Sequence, residues 1–431
     1  MTTPVPLPDH DRFPAGSTPR TSRVAILGAG PIGLDAALAC VEAGSGCTVY
    51  EAGPTVAGNI GTWGHVRMFT PWSMNVSHRM RSHLDGAGVA VPDGGSEYPT
   101  GAEFTARLLA PVAALPELAG VVRTGARVLG ISRYGLLKDD HIGAPTRGAA
   151  PFRLLLGDDD GREWTEDAEV VLDCTGSYPL ANALGDGGLP APGERRVADR
   201  IVRRIPDLDA DPDAWAGRGI LLVGAGKSAQ TAARDLAALV AAAPGTRLVW
   251  AVRDQNPDWG EVPADPLPGR QELVETAERL RAGTVPGVQV RTGVTVDGLR
   301  PTGAGGDQVA VTLRAADEPA EDVVVDRVLG LTGFLGDTSL YRQLQVHECY
   351  ATAAPMNLSA ALLAAVGDGP VDCLTQPSHG IDALRVPEPN FFVLGVKSYG
   401  RNNTFLLRIG YGQVDEVIAD GFQAPPALAA S

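Results

Sequence analysis

Two short glycine loops, 196 residues apart, constrain this 431-residue chain more than any other feature. The first reads Gly28-Ala-Gly30-Pro31-Ile32-Gly33. It lies between the apolar run Arg23-Val-Ala-Ile-Leu-Gly28 and a helical stretch from Ile32 to Ala43, followed by a second apolar run, Cys47-Thr-Val-Tyr-Glu51. The second reads Gly224-Ala-Gly226-Lys227-Ser228-Ala229. It lies between Ile220–Gly224 and a helical Ala/Leu stretch from Ser228 to Ala243, with Arg247-Leu-Val-Trp-Ala-Val252 beyond. Each is a β-α-β unit of about 30 residues whose loop opens its helix. In such a unit the first glycine permits a tight turn and the second lets the backbone approach a pyrophosphate. The third lets helix and strand pack, and the helix N-terminus faces the phosphates. The expectation is an α/β chain with two Rossmann-like dinucleotide-binding domains.

The two units differ at the adenosine end. Glu51 closes the second strand of the first unit, 23 residues after Gly28, where a carboxylate accepts hydrogen bonds from a ribose diol. An acid there suits FAD or NAD and repels a 2′-phosphate. The unit's position at the front of the chain, with a second unit inserted later, favours FAD. In the second unit the matching position is Ala251, and Arg253 follows two residues on, which favours NADPH over NADH. The domains read as a leader at 1–21, an FAD-binding domain from 22–183 and 330–431, and an NADPH-binding domain at 184–329.

Elsewhere the sequence predicts a helix at Ala102–Ala110 stopped by Pro111 and strands at Ala126–Ser132 and Phe152–Leu156. Single strands are expected at Ala168–Asp173, Asp322–Gly330 and Asn390–Gly395, with a last helix at Thr404–Ala419. Loops are expected at 133–150 and 300–308, and His78 and His83 read as surface residues.

Composition removes several function classes. The net charge is −15, so the field repels nucleic-acid phosphates and anionic lipid. No apolar run reaches the roughly 18 residues of a membrane span, and residues 1–20 lack a signal-peptide core. A cytoplasmic protein is expected, with no nucleic-acid or membrane partner and the question of a homo-oligomer open. The five cysteines are scattered with no C-x-x-C pair, which argues against a disulfide framework, a zinc ribbon and a dithiol reductase. No metal is expected, because neither His347-Glu-Cys349 nor Cys373 with His379 has a recognised zinc spacing.

With these motifs in place the chain resembles the two-dinucleotide flavoprotein monooxygenases of the class B type, N-hydroxylating members above all. Asp173-Cys-Thr175-Gly176 and Gly330-Leu-Thr-Gly333 look like the strand-to-turn crossings by which such chains leave and re-enter the FAD domain. Gly61-Thr-Trp63-Gly-His65-Val-Arg67 looks like the stretch placed beside the isoalloxazine, and Gly395-Val-Lys397-Ser-Tyr-Gly-Arg401-Asn-Asn403-Thr404-Phe405-Leu-Leu407 like the segment that closes over the flavin. Trp63–Trp72 and Lys397–Arg401 together resemble the bacterial subgroup with aspartate N-hydroxylases that form nitrosuccinate. The Baeyer–Villiger signature F-x-G-x-x-x-H-x-x-x-W/D is absent between the domains.

The resemblance implies FAD reduction by NADPH, capture of O2 as a flavin hydroperoxide, and N-hydroxylation of a small amino acid or amine, L-aspartate first. It also implies His65 as a proton shuttle, Arg270 and Arg401 as carboxylate anchors with Arg67 a further candidate, and Lys397 as a partner of flavin or substrate. The alternatives are an S-oxygenating monooxygenase, a flavoprotein reductase or oxidase without oxygen insertion, and a non-catalytic nucleotide sensor.

Overall fold

The computed structural model describes residues 24–92, 97–178, 180–262, 265–316, 318–366, 374 and 378–421. The expected leader, Arg23 and Cys373 lie outside them. Val24–Leu27 is the centre of a five-stranded parallel sheet, with Cys47–Tyr50 and Val122–Arg123 on one side and Val170–Asp173 and Phe391–Val393 on the other. Val24–Leu27 and Val170–Asp173 are buried at every position, as a parallel sheet covered on both faces requires. Val24 and Ile26 face the helix Pro31–Glu42, whose residues Ile32 to Cys40 are all buried. Ala25 and Leu27 face an antiparallel sheet of Arg127–Arg133, Phe152–Gly157 and Glu163–Ala168.

The second sheet repeats this plan. Gly219–Val223 is central, Arg247–Val252 and Val288–Thr292 lie on one side, and Arg327–Gly330 and Ile201–Val202 on the other, all parallel. The helix Lys227–Ala242 covers one face, and an antiparallel sheet of Val294–Thr302, Gln308–Ala315 and Glu321–Val325 supplies the other core. Two crossings join the halves. Residues 174–178 lead out toward Leu180–Ala181 and 331–333 lead back to Phe334–Leu335, and these two short strands pair antiparallel. Gly176 and Gly333 turn the crossings at φ +74° and +87°, values that favour glycine.

Several expected elements are corrected. Asp322–Gly330 is two strands in two sheets, Glu321–Val325 and Arg327–Gly330. Asp326 makes the step: its N–H donates to Gly219 O at 2.8 Å, and its carboxylate accepts the Gly219 N–H at 2.6 Å. Ala168–Asp173 divides the same way, around Glu169. The loop expected at 300–308 is the turn of a hairpin, 303–307, while 300–302 and Gln308 belong to its strands. The helix expected to stop at Pro111 runs from Gly101 to Ala113 through a π-turn at Thr105–Leu109. There the Ala110 N–H reaches back five residues to Thr105 O, and the widened turn accommodates the missing N–H and the ring of Pro111.

The last helix is Leu407–Asp420, because Thr404 is held outside it by two bonds to Asn402 Oδ1, from its N–H at 3.0 Å and its hydroxyl at 2.6 Å. Gly410 is where that helix rests on the first one: a Cβ there would stand 2.4 Å from Ile32 Cδ1. His83 is not a free surface residue, since its ring nitrogens meet Glu117 at 2.5 Å and Glu42 at 3.1 Å.

Candidate dinucleotide sites and the face between them

In the first loop, Gly28 has φ +94°, and a Cβ there would meet Cys174 O at 2.9 Å. A Cβ on Gly33 would stand 1.9 Å from Gly28 O, so glycine sets how closely the helix sits on the strand. Gly30 is different, because a Cβ on it would meet nothing within 4 Å. That open space lies at a helix N-terminus with Gly30 as N-cap, Pro31 following and no side-chain cap, so its first N–H groups are left for an anion. Ile32 is only 6% exposed and packs on Gly395 and Gly410, so what it can offer the loop is its backbone. Glu51 reaches the loop: one carboxylate oxygen accepts the Ala29 N–H at 2.8 Å and the other the Gly53 N–H at 2.8 Å. The residues fit a dinucleotide whose phosphates lie at Gly30 and whose ribose meets Glu51.

The second loop repeats the backbone and changes the chemistry. Gly224 has φ +129°, with Leu331 O 2.3 Å from where its Cβ would be, and Gly226 again faces open space. The helix starting at Lys227 has Gly226 as N-cap and no side-chain cap. Ala229 replaces the third glycine and is fully buried, so this helix stands far enough from its strand to admit a methyl group. Ser228 is exposed at the loop. Arg253, just past Arg247–Val252, is exposed and meets no side-chain partner among the described residues, which leaves its guanidinium available to a 2′-phosphate. Lys227 Nζ donates to Trp259 O at 2.9 Å and Gln230 Oε1 at 3.2 Å. Burial, with the Arg270 charge second, lowers this ammonium to about 8.

The segment 61–72 touches both halves. Trp63 packs on Gly101, where a Cβ would stand 2.8 Å from its ring, and its Nε1 is buried with no acceptor among the described residues. His65 Nδ1 lies 3.8 Å from Asp207 Oδ2, and Phe69 lies 3.9 Å from where a Cβ on Gly269 would be. Arg67 bridges to Thr100 through its backbone and donates to Tyr98 O. Arg270, expected as a carboxylate anchor, is only 8% exposed, and its guanidinium meets both oxygens of Asp265, by Nε at 2.5 Å and Nη2 at 2.7 Å. A carboxylate of its own domain takes the fork.

The closing segment follows Phe391–Val393. Lys397 is 2% exposed and donates to Asp173 Oδ2 at 2.6 Å and Thr175 Oγ1 at 3.1 Å. Thr175 in turn donates its hydroxyl at 2.6 Å and its N–H at 3.1 Å to Asp173 Oδ1. A Cβ on Gly336 would stand 2.4 Å from Lys397 Cγ, so the lysine stem lies against the returning crossing. Lys397 therefore ties strand end, outbound crossing and closing segment together. Arg401 is exposed, its N–H bonded to Thr352 O at 2.7 Å and its side chain unpartnered among the described residues. Asn403 is exposed, and Phe405 meets Tyr399 edge to face at 5.4 Å between ring centres. The two loops and the closing segment thus border the crossings, where open α/β sheets bind ligands, and the 61–72 segment reaches the second half at Asp207 and Gly269.

No protein-family model matches the sequence, and no curated protein matches it. Solved structures do. The bacillithiol disulfide reductase Bdr (YpdA) from Bacillus cereus superposes with a TM-score of 0.64 at 19% identity, over 93% of this chain and 98% of that one. The ornithine hydroxylase (PvdA) from Pseudomonas aeruginosa gives 0.60 at 15%, over 93% and 98%. The ornithine N-hydroxylase of Kutzneria sp. 744, described with reduced FAD, NADP+ and L-ornithine, gives 0.57 at 15%, over 93% and 99%. The chain has the two-domain flavoprotein fold. That fold carries disulfide reduction in one of these proteins and hydroxylation of ornithine in the others, so the site must decide between them. No helix among the described residues is long and apolar enough to cross a membrane.

Neither Asp265, Tyr178 nor Arg204 stands out in the sequence as a site residue. Asp265, five residues before Arg270, was a readable local partner. Tyr178 and Arg204 sit in no motif.

Proposed function

We propose that this chain is an FAD-dependent, NADPH-consuming monooxygenase that N-hydroxylates a small amino acid or amine, with L-aspartate, toward nitrosuccinate, as the first candidate. The observation that carries the reading is the 61–72 segment: it belongs to the half with Glu51 and meets the other half through His65–Asp207 and Phe69–Gly269. A site between an FAD loop and an NADPH loop lies there. Bound FAD would accept hydride from NADPH and activate O2.

The chain's own residues supply the rest. Gly30 and the helix N-terminus hold the flavin dinucleotide phosphates, Glu51 the ribose, and the Trp63 indole N–H is left to donate to the cofactor. Gly226, Ser228 and Arg253 receive NADPH. His65 holds or moves a proton at its imidazole, and its neighbour Asp207 orients it. Arg401 and Arg67, both exposed at the border, attract an anionic substrate. Lys397 acts as a positioning residue through Asp173 and Thr175, and Arg270 through Asp265.

Disulfide reduction is the second reading, favoured by the Bacillus cereus superposition. Against it, Cys40, Cys174 and Cys349 are buried, Cys47 is half-buried, and burial pushes the Cys174 thiol well above its ordinary range. The test is NADPH consumption by FAD-loaded protein across an amino-acid and amine panel, with hydroxylamine, nitro product and peroxide all quantified. N-oxygenated product in proportion to NADPH used is the expected result. Peroxide alone with every compound, together with NADPH-driven turnover of a low-molecular-weight disulfide, would replace the reading with the second one.

A further inference from the structure

Arg204 is a half-buried arginine that the fold leaves without an acceptor among the described residues. Its Nε is shielded from solvent, and none of its nitrogens meets a partner among those residues. Its neighbour Arg203 shows the ordinary arrangement, donating to Asn182 O at 3.0 Å and Glu194 Oε1 at 2.6 Å. Shielding a guanidinium N–H from water with no acceptor is unfavourable, and an oxyanion from a bound molecule relieves it.

Its surroundings say where that molecule lies. Arg204 stands two residues past Ile201–Val202, on the stretch that reaches Asp207 and through it His65. Its charge acts on Tyr178, whose phenol burial raises and Arg204 pulls back down. Tyr178 comes from the outbound crossing and packs at a tilt against Phe334 of the returning one, with ring centres 4.4 Å apart. Tyr178 too has no hydrogen-bond partner among the described residues. Arg203, the residue before Arg204, donates to Asn182 O just past the outbound crossing, so an unpartnered guanidinium and an unpartnered phenol lie in one region of the crossings, while Arg270 is neutralised by Asp265.

We propose that Arg204, together with the Tyr178 hydroxyl, receives an oxyanion of the small molecule bound between the two halves: a substrate carboxylate or a phosphate of the nicotinamide dinucleotide. The inference rests on the functional reading above in placing a ligand between the halves, and it adds the group that recognises the ligand's charge. Planar, delocalised and always charged, the guanidinium suits either oxyanion.

The test uses FAD-loaded protein and the variants Arg204→Gln, Arg204→Lys and Tyr178→Phe. Two titrations are read: equilibrium dialysis of labelled succinate and labelled L-aspartate, and the NADPH concentration that half-saturates anaerobic flavin reduction. A carboxylate source predicts that Arg204→Gln weakens succinate and aspartate binding at least about tenfold and leaves NADPH half-saturation in place. A phosphate source predicts the reverse. In either case Tyr178→Phe weakens the same titration by a smaller factor, and Arg204→Lys recovers part of the loss.

Both titrations within twofold of the parent in Arg204→Gln, with an unchanged melting temperature, overturn the proposal. If Arg204→Gln does not fold, the same titrations on Arg204→Lys decide, and no change there overturns it too. Loss of anion binding in Arg204→Gln, while the parent forms no N-oxygenated product from any amine, would sink the functional reading and leave this inference standing.

Discussion

The two halves are built on one plan and diverge where a ligand would touch them. In each, a central strand runs into a glycine loop with an open second glycine and an uncapped helix, and an antiparallel sheet runs through one acidic residue into the fourth parallel strand. The fifth strand follows the unit in the first half, as Phe391–Val393, and precedes it in the second, as Ile201–Val202. The backbone thus offers the same phosphate cradle twice. The side chains at the strand ends then assign it differently: Glu51 in one and Ala251 with Arg253 in the other.

The fourth strands differ as well. Asp173 pairs with Leu27 in register and carries a buried carboxylate held by Lys397, whereas Gly330 pairs with Val223 and leaves room for Arg203, whose Nη1 stands 2.9 Å from where a Cβ would be.

The largest expected effect breaks the comparison at the third loop position. Gly33→Ala puts a methyl group 1.9 Å from Gly28 O, so the first helix must lift and the protein should purify without flavin, while Ala229→Gly should leave NADPH use intact. Flavin content by absorbance after gel filtration checks both. Next, Lys397→Met strands the buried Asp173 carboxylate and should cost about 3–5 kcal/mol in urea unfolding, whereas Asp173→Asn with Lys397→Met together should cost less than the sum of the singles.

Arg253→Ala should raise the NADPH half-saturation roughly tenfold or more and leave that for NADH within twofold, since only NADPH carries the 2′-phosphate. Equal changes for both coenzymes would remove the contrast between Glu51 and Arg253. The smallest effect is in pH. Lys227 is charged below about 8, so its attraction for a phosphate is present there and fades as pH rises through that value. NADPH half-saturation should climb a few-fold over that range in the parent and stay flat in Lys227→Met, with Arg270, Asp265 and Asp258 the charged neighbours that shape the slope.

Both β-α-β units were legible because their signals are local: apolar runs, glycines at fixed spacing, and an acid or a base at a strand end. The steps at Glu169 and Asp326 were not, because an apolar run passing between two sheets looks the same as one continuous strand. Pro111 misled because the π-turn that accommodates it leaves no mark on the sequence. At the site, glycine and strand-end residues could be placed from spacing, but whether an arginine is free or taken could not. The sequence points to Arg270 and passes over Arg204, yet the fold gives the first Asp265 and leaves the second without a partner among the described residues. Lys397 likewise looks available until Asp173, 224 residues earlier, is brought within 2.6 Å.

The central claim is that two dinucleotides sit at the two loops and exchange electrons between them. Anaerobic mixing of the FAD-loaded protein with NADPH or with NADH, followed at the flavin absorbance maximum, tests it directly. The account predicts flavin bleaching with NADPH at much lower concentration than with NADH, and a preference that disappears in Arg253→Ala. Flavin that stays oxidised with NADPH, or equal use of both coenzymes by the parent protein, would contradict it.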